Sequence, residues 1–321
     1  MIAGTAHPSA RAATATVDHR FRAMGCDVRI AATSADRPQV ELDDAARRAE
    51  QFVHAAAARL TRFDPASELR QLGARPHRTI SVSPMLGHAL HVALEAARAS
   101  GGLLDPTLAA PLVSAGYADD WDHERRVDLS TLLALAPPRQ PASPSPRAAW
   151  ADVTVDRAAG TVERAAGLQL DLGATAKGLI ADLALRMLGA VDTGFVDAGG
   201  DLAMATPGGQ ELHAADPFGR PDLTLRTTGP CGVATSSIAG RCWLGPAGPA
   251  HHLLDPSTGQ PAFTGVVQAT AAGPTTAEAE RLAGQALLSG PEVGATLLTR
   301  FGGLLVLDDS TTIRLPGALL Q

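Results

Sequence analysis

Aromatic side chains and positive charge are both scarce in this 321-residue chain. Aromatics make up 3% of the residues, with a single tyrosine, and the formal net charge is -6. Proteins that bind nucleic acids use basic surfaces and aromatic rings that stack on bases, so the composition argues against a nucleic-acid partner. The sequence also contains no run of Lys and Arg of the kind that binds an anionic membrane surface.

Paired cysteines and long apolar runs are also lacking. The three cysteines, Cys26, Cys231 and Cys242, are odd in number and show no CxxC spacing. A disulfide framework or a structural zinc site is therefore not expected. No apolar run approaches the length of about 18 residues that crosses a membrane, and the first residues lack the apolar core of a secretory signal. The sequence therefore predicts a soluble, cytoplasmic protein without a membrane segment.

The length and a hydrophobic content of 45% are sufficient for a sizeable core. Residues 1–18 are rich in Ala, Thr and Ser and are predicted to form a disordered tail. Residues 19–321 are predicted to form a single domain, in which the Pro/Ser-rich segment 137–149 is a surface loop outside the core. Helical patterns in the first half and short strands after residue 150 indicate an α+β fold, with mixed or antiparallel sheets and packed helices.

Apolar residues spaced by three and four predict four longer helices, at 39–60, 84–100, about 176–188 and about 276–289. Ser67 is a suitable N-cap for a further short helix, and Thr276 is a suitable N-cap for the last helix. Residues 18–32 read as a strand with a bend at Met24 and Gly25.

The motif 170-LDLGATAKGLIADLALRML-188 joins a strand-like segment to a helix. The alternating segment ends at Asp171, Gly173 permits a tight turn, and the helix begins near Thr175. Lys177 therefore lies in the first turn, where the helix N terminus already attracts anions. Spacing alone leaves two interpretations open: a solvated lysine or a lysine that binds a phosphate.

Two other segments have the composition of ligand-binding loops. In 195-FVDAGGDLAMA-205, a pair of glycines precedes Asp201, and such a pair lets a ligand or another strand approach the backbone closely. In 233-VATSSIAGRCW-243, three hydroxyl side chains end a strand, and Arg241 follows with a charge that could meet an anion. A plain hairpin turn would explain the glycines equally well.

The segment 251-HHLLDPSTGQPA-262 carries two adjacent histidines. Neighbouring side chains on a strand point to opposite faces, so we do not expect His251 and His252 to share a metal ion. His252 could take part in acid–base chemistry, or it could be a buried, hydrogen-bonded histidine. In the last predicted helix, Glu280 and Gly284 lie on one face, where Glu280 could equally be a solvated side chain.

In their order along the chain, these motifs resemble the FAD:protein FMN transferases of the ApbE type. The resemblance rests on segments that follow one another from residue 21 to residue 290: FRAMGCDVRI, RFDPASEL, GGLLDPTLAAPL, LDLGATAKGLIADLA, VDAGGDLA, ATSS, HHLLDPSTGQPA and AEAERLAGQALLSG. It implies an α+β flavin transferase fold, FAD as the substrate and Mg²⁺ as the metal. It also implies that the FMN moiety is transferred to a Ser or Thr hydroxyl of a target flavoprotein, with release of AMP.

The resemblance also implies which residues form the site. His252 would border the reaction centre as the proton-transfer residue, and Phe63 stands where the family often has tyrosine. The positions implied for FAD binding are Met24, Phe63, Leu103, Leu104, Asp105, Asp171, Lys177 and Leu253. The positions implied for the metal are the backbone carbonyl of Ala174, together with Glu280 and Gly284.

Besides Phe63, three positions depart from the family pattern. Glu280 and Gly284 stand where the family usually has Asp and Thr, and Cys26 stands where it has threonine. Glutamate can still bind Mg²⁺, whereas Gly284 has no side-chain ligand and water must take that place. Two alternatives therefore stay open: an FAD-binding homologue with an impaired metal site and no transferase activity, and a hydrolase that splits FAD into FMN and AMP.

Overall fold

The structure is a computed structural model that describes residues 14–321. Most of the predicted disordered tail therefore lies outside the described residues. The first strand begins at Ala15, so the prediction was wrong for residues 15–18. These residues are ordered because they pair with the following strand, as Asp18 does with Ala31.

The four longer predicted helices are confirmed with small shifts at their ends. Within residues 14–321 the α-helices are α1 Gln39–Leu60, α2 Glu68–Ala74, α3 Pro84–Ala99, α4 Ala109–Ser114, α5 Leu129–Ala134, α6 Ala176–Met187, α7 Thr276–Ser289 and α8 Pro291–Leu298. Ser67 caps α2, as predicted, by accepting a hydrogen bond from the Arg70 amide. The cap of α7 is Thr275 and not Thr276, because the Thr275 hydroxyl accepts from the Glu278 amide.

The strands are short and numerous, as expected for the second half of the chain. They are β1 Ala15–Ala23, β2 Cys26–Ser34, β3 Thr79–Ser81, β4 Thr154–Asp156, β5 Thr161–Glu163, β6 Thr193–Ala198, β7 Leu202–Met204, β8 Glu211–Ala214, β9 Leu223–Arg226, β10 Cys231–Ser237, β11 Cys242–Gly245, β12 Gly248–His251, β13 Leu254–Asp255, β14 Gln260–Pro261, β15 Val266–Gly273, β16 Gly303–Leu307 and β17 Thr312–Leu315.

Eight of these strands form the main sheet, in the order β1-β2-β6-β7-β10-β15-β16-β17. Every pair of neighbours in it is antiparallel. The remaining strands form small antiparallel sheets, β3-β5-β4, β8-β9, β11-β12 and β13-β14. The α+β class is therefore confirmed, and the pairings in the described part of the chain are antiparallel and not mixed.

The bend predicted at Met24 and Gly25 is a complete chain reversal. Both residues have positive φ, 55° for Met24 and 69° for Gly25. Two consecutive residues of this kind make the tight turn that suits a two-residue hairpin, and Ala23 lies opposite Cys26 across it. The predicted single strand is thus the hairpin β1–β2, which places Met24 at the end of the main sheet.

Two apolar cores lie against different parts of the main sheet. The first includes Ile30 of β2, Val196 of β6 and Ile180 of α6. The second lies around β15 and α7 and includes Ala269 and Ala283. Every residue of β15 is buried, so this strand is covered on both faces. The N-terminal ends of α6 and α7 meet between the two cores.

The Pro/Ser-rich segment 137–149 is a loop without regular structure, but it is not confined to the surface. The Gln140 amide donates to the Phe263 carbonyl at 2.9 Å, and the Ala142 amide donates to the Leu288 carbonyl at 2.9 Å. Ala142 is buried in the second core. The expectation of a loop outside the core was therefore wrong at Ala142, because backbone hydrogen bonds fix this extended segment against the protein. Between residues 14 and 321, no helix is both long and apolar enough to cross a membrane.

Candidate active site

Each of the helices α6 and α7 supplies a carboxylate from its second turn to the first amides of the other helix. The Gly178 amide at the start of α6 donates to Glu280 Oε2 of α7 at 2.9 Å. In the other direction, Asp182 of α6 accepts from the amides of Thr276 at 2.9 Å and Ala277 at 3.1 Å, at the start of α7. The first amides of a helix have no partner within the helix and carry a partial positive charge, so each carboxylate stabilises the other helix.

The N-terminal ends of α6 and α7 can approach closely enough for these hydrogen bonds only because Gly178 has no side chain. A Cβ atom at this position would lie 2.7 Å from the carbonyl carbon and oxygen of Thr276. Contacts this short do not occur in folded proteins, so any other residue would push the helices apart. The glycine that follows Lys177 in the sequence motif is thus explained by the packing of α6 on α7.

Lys177 is held by two acidic side chains. Its ammonium forms an ion pair with Asp201 Oδ2 and lies 3.5 Å from Glu280 Oε1. The Asp201 side chain is 1% exposed and that of Glu280 is 6% exposed. Burial raises the pKa of Glu280, whereas the charge of Lys177 and the Gly178 amide lower it. The solvated interpretations of Lys177 and Glu280 are therefore wrong, because the ammonium of Lys177 pairs with two buried carboxylates.

Replacing Asp182 with alanine is expected to lower the free energy of unfolding by about 2 kcal/mol, because two amides of α7 lose their acceptor in a partly buried place. Asp182→Asn keeps one acceptor oxygen and should lose about half as much. Urea unfolding of the two variants and the unchanged chain measures the difference. An asparagine variant as unstable as the alanine variant would contradict the capping role.

Arg62 connects two residues that the sequence implied for FAD binding. Its Nε atom lies 2.7 Å from Asp171 Oδ2, and both side chains are largely buried. The centre of its guanidinium lies 4.2 Å from the ring centroid of Phe63 and 4.5 Å from that of Tyr117. The structure therefore brings Phe63 and Asp171 together through a cation that contacts two aromatic rings.

Three of the other aromatic residues and one histidine surround Tyr117. Its ring centroid lies 5.5 Å from Phe63, 5.7 Å from Trp243, 6.3 Å from Trp121 and 6.5 Å from His252. We call these five residues the aromatic cluster. The cluster links Phe63, implied for FAD binding, to His252, implied for proton transfer, and burial raises the pKa of Tyr117.

His252 is held in its neutral form. Burial lowers its pKa well below 6.5, and the positive charges of Arg241 and Lys177 lower it further, although a backbone hydrogen bond with Arg241 opposes them. Its Nδ1 atom is shielded from solvent and has no hydrogen-bond partner among residues 14–321. The imidazole is therefore an unprotonated base beside two cations.

The adjacent histidines have different neighbours, as strand geometry predicts. His252 faces the ring of Tyr117. His251 is fully buried and meets the ring of Phe263 edge to face, with the centroids 4.9 Å apart. Burial lowers the pKa of His251 to about 3, so this ring is a neutral part of the interior.

The β1–β2 turn lies near the same cations. A Cβ atom on Gly25 would lie 3.7 Å from Arg241 Nη2 and 3.6 Å from Asp120 Oδ1. Burial raises the pKa of the Cys26 thiol, and the charges of Lys177 and Arg241 lower it. The turn that carries Met24 therefore borders the region that contains Arg241 and Lys177.

The loop before α4 adjoins Asp171. The Asp171 amide donates to the Pro106 carbonyl at 2.8 Å. The neighbouring Asp105 accepts from the amide and the hydroxyl of Thr107, which lower its pKa, while burial raises it. This loop brings Asp105 to the same region as Asp171.

Gly284 of α7 leaves room for side chains from two other elements. A Cβ atom there would lie 3.1 Å from Leu104 Cδ2 and 3.7 Å from Ser236 Oγ. Leu104 and Gly284, both implied for the site, are thus in contact. Leu103 and Leu253 are partly buried and pack against the second core, and Ala174 is exposed in the loop before α6.

Three residues of this region were not predicted from the sequence: Arg62, Tyr117 and Asp182. Each carried a weak signal. Arg62 directly precedes Phe63 in its motif, Tyr117 is the only tyrosine, and Asp182 lies four positions after Gly178 and so on the same helix face. None of these signals shows which distant residue each one contacts.

Comparisons with known proteins agree with this structure. The model of the ApbE family matches residues 24–307. A FAD:protein FMN transferase from Treponema pallidum (strain Nichols) is 35% identical over 156 residues, which cover 43% of this chain and 43% of that relative. The chain thus aligns with less than half the length of that protein.

Two solved structures resemble almost the whole chain. The ApbE protein of Thermotoga maritima MSB8 has a TM-score of 0.76 at 23% identity, covering 93% of this chain and 96% of that one. The flavin transferase ApbE of Vibrio cholerae has a TM-score of 0.71 at 17% identity, covering 95% and 98%. At these identities the likeness establishes the fold, and the flavin transferase fold implied by the motifs is confirmed.

Proposed function

The chain belongs to the ApbE family, and we propose from this that it is an FAD:protein FMN transferase. It would move the FMN moiety of FAD onto a Ser or Thr hydroxyl of a target flavoprotein and release AMP. The observation that carries the proposal is the placement of His252 and Phe63 against the same ring of Tyr117, in a chain that the ApbE family model matches over residues 24–307. The target protein and the cytoplasmic location stay predictions.

The proposed reaction is a displacement at the FMN phosphorus of the pyrophosphate. The acceptor hydroxyl oxygen forms a new phosphoester bond to this phosphorus, and the bond from the phosphorus to the AMP oxygen breaks. His252 takes the hydroxyl proton, for which a neutral imidazole is required. Arg241 offsets part of the negative charge of the phosphates, and Lys177, whose charge is shared with Asp201 and Glu280, would add a contact to FAD. Holding the hydroxyl in line with the phosphorus supplies much of the remaining effect.

The aromatic cluster and the loop before α4 supply the proposed FAD contacts. Phe63 has a flat face that suits a planar ring, and it lies against Arg62 and Tyr117. Leu104 and Asp105 lie on the loop whose Pro106 carbonyl holds Asp171. FAD binding by these residues and by Met24 and Leu253 is part of the proposal.

Mg²⁺ is also part of the proposal, and the oxygen donors present suit it. Glu280 and Asp201 are buried carboxylates that converge on one ammonium, and Mg²⁺ prefers such hard oxygen ligands. No group of three or more His, Cys, Asp or Glu side chains within residues 14–321 could hold a metal ion, and Gly284 adds no side chain. The Ala174 carbonyl and water would therefore complete the ligands. When bound, the ion would neutralise the pyrophosphate and polarise it.

One observation favours the alternative of an FAD-binding homologue without transfer. The ammonium of Lys177 already pairs with both carboxylates, so a Mg²⁺ ion would have to displace it from Glu280 and Asp201. A protein in which the lysine keeps this place would bind FAD without activating the pyrophosphate.

The deciding experiment incubates the protein with FAD, Mg²⁺ and a peptide that carries one Ser or Thr. We expect covalent flavin fluorescence on the peptide in a denaturing gel, with one AMP released per flavin transferred. The same peptide with alanine at the acceptor position is the control. AMP and free FMN without labelled peptide would identify a hydrolase. Bound FAD without AMP at any Mg²⁺ concentration would identify a binding protein.

A further inference from the structure

We propose that Arg62 is a further binding residue for FAD, which donates a hydrogen bond from Nη2 to an oxygen atom of the flavin half of the molecule. The inference rests on the proposed flavin transferase function, and it concerns a residue that the family resemblance did not mark.

The first argument is that Arg62 is a buried guanidinium with unused donors. The residue is 8% exposed. Its Nη1 atom has only a long contact of 3.5 Å with the Ala118 carbonyl. Its Nη2 atom is shielded from solvent and has no hydrogen-bond partner among residues 14–321. A buried donor without an acceptor is costly to the fold, so such a group points to a ligand that accepts from it.

The second argument is the direction in which the free donors point. The ring centroids of Phe63 and Tyr117 lie 4.2 Å and 4.5 Å from the guanidinium centre and 5.5 Å from each other, so the two rings lie on adjacent sides of the cation. All five N–H bonds of a guanidinium lie in its plane, so stacked rings do not satisfy them. Asp171 Oδ2 lies 2.7 Å from Nε, yet Nε, like Nη2, has no hydrogen-bond partner within residues 14–321. What remains is a donor edge of fixed orientation.

The third argument is where this edge lies. Tyr117 also faces His252, which is the proposed base. Asp171 is tied to the loop that carries Asp105. Phe63, Tyr117 and Asp171, which contact Arg62, therefore belong to the candidate active site. Because arginine has only donors, the ligand atom must be an acceptor, and the flavin half of FAD offers ring carbonyl and phosphate oxygens beside the ring of Phe63.

The test uses Arg62→Lys in the full chain. Lysine keeps the positive charge for Asp171, but a single ammonium cannot reproduce the planar edge. The matched control is Arg29→Lys, because Arg29 also pairs with an aspartate, Asp18, and lies 5.1 Å from the ring centroid of Phe195. The dissociation constants of FAD, FMN and AMP are measured for each protein by calorimetry.

We expect Arg62→Lys to weaken the binding of FAD and FMN about tenfold or more, as the loss of a charge-assisted hydrogen bond implies, and to leave AMP within about twofold. Arg29→Lys should leave all three constants unchanged. Arg62→Gln, which keeps an amide donor without the charge, is a second variant in case lysine disturbs the fold. We expect it also to weaken the binding of FMN while leaving the binding of AMP unchanged.

Equal FMN affinity in the wild type and both Arg62 variants would overturn the inference while leaving the proposed function intact. An equal loss of AMP and FMN would also overturn it, because a general loss of structure would affect both ligands. A wild-type protein that binds no FAD would overturn the proposed function and this inference together.

Discussion

Replacing Lys177 with alanine is expected to lower the free energy of unfolding by about 3 kcal/mol at pH 8, and by clearly less at pH 5. The variant leaves Asp201 and Glu280 buried without a cation. Burial holds the folded-state pKa of Glu280 above the unfolded value of 4.5, so the folded chain binds the extra proton in the window between the two values. The protonated Glu280 therefore contributes to the free energy of unfolding at low pH, and this contribution is lost as pH rises through that window.

Without Lys177 the pKa of Glu280 rises further, because the charge that lowers it is gone. The loss in the free energy of unfolding caused by Lys177→Ala should thus be larger above this pH window and smaller below it. Urea unfolding at pH 5 and pH 8 measures this difference. Adding Glu280→Gln to Lys177→Ala removes one uncompensated charge, so it should recover part of the loss at pH 8 and reduce the pH dependence. An equal loss at both pH values would contradict the role assigned to the ion pairs.

The same variant tests the predicted FAD contact of Lys177. An FAD affinity unchanged at pH 5, where the fold is better preserved, would show that the lysine serves only the two carboxylates. A loss of affinity at that pH would support a contact with the phosphates of FAD.

Replacing His252 with alanine is expected to slow FMN transfer by about 100-fold or more, while the affinity for FAD changes only a few-fold. The reason is that the proposed base is removed, whereas the proposed FAD contacts of Phe63 and Asp171 remain. AMP release in a single turnover measures the transfer rate, and flavin fluorescence measures binding. His213→Ala, a change of an exposed histidine on β8, is the control and should leave both quantities unchanged.

The pH dependence of the FMN transfer rate of the unchanged protein is a second test of His252. The folded-state pKa of His252 lies well below 6.5, so the ring is an unprotonated base above that lower value. Transfer should therefore keep its rate from pH 8 down to about pH 6, where an ordinary histidine with a pKa near 6.5 would be mostly protonated. A rate that halves at pH 6.5 would contradict the lowered pKa of His252, and an unchanged rate in His252→Ala would contradict its role as the base.

The local elements of the fold were readable from the sequence because they depend on neighbouring residues. The periodicity over 39–60 predicts α1 from end to end, and the hydroxyl of Ser67 predicts the start of α2. The N-cap of α7 was misplaced by one residue, since Thr275 and Thr276 offer the same hydroxyl. The hairpin at Met24 was read only as a bend, because methionine is an unusual residue at positive φ.

The partners of the site residues were not readable, since they come from distant parts of the chain. The motif shows Lys177 at the start of a helix, but its carboxylates come from the turn after β6 and from α7. The order of motifs led to Phe63 and Asp171, yet nothing in it shows that Arg62 joins them. Pairing of this kind is decided by how the helices and loops pack.

The exchange of carboxylates between α6 and α7 has a consequence for motion in the site. If the start of α7 opens, Asp182 loses its two amides, and the Gly178 amide loses Glu280 as that side chain leaves with its helix. The first turns of both helices should therefore unfold locally as one cooperative unit, with matching rates of amide hydrogen exchange. Lys177 lies within that unit, so its two ion pairs would form and break together with the helix ends.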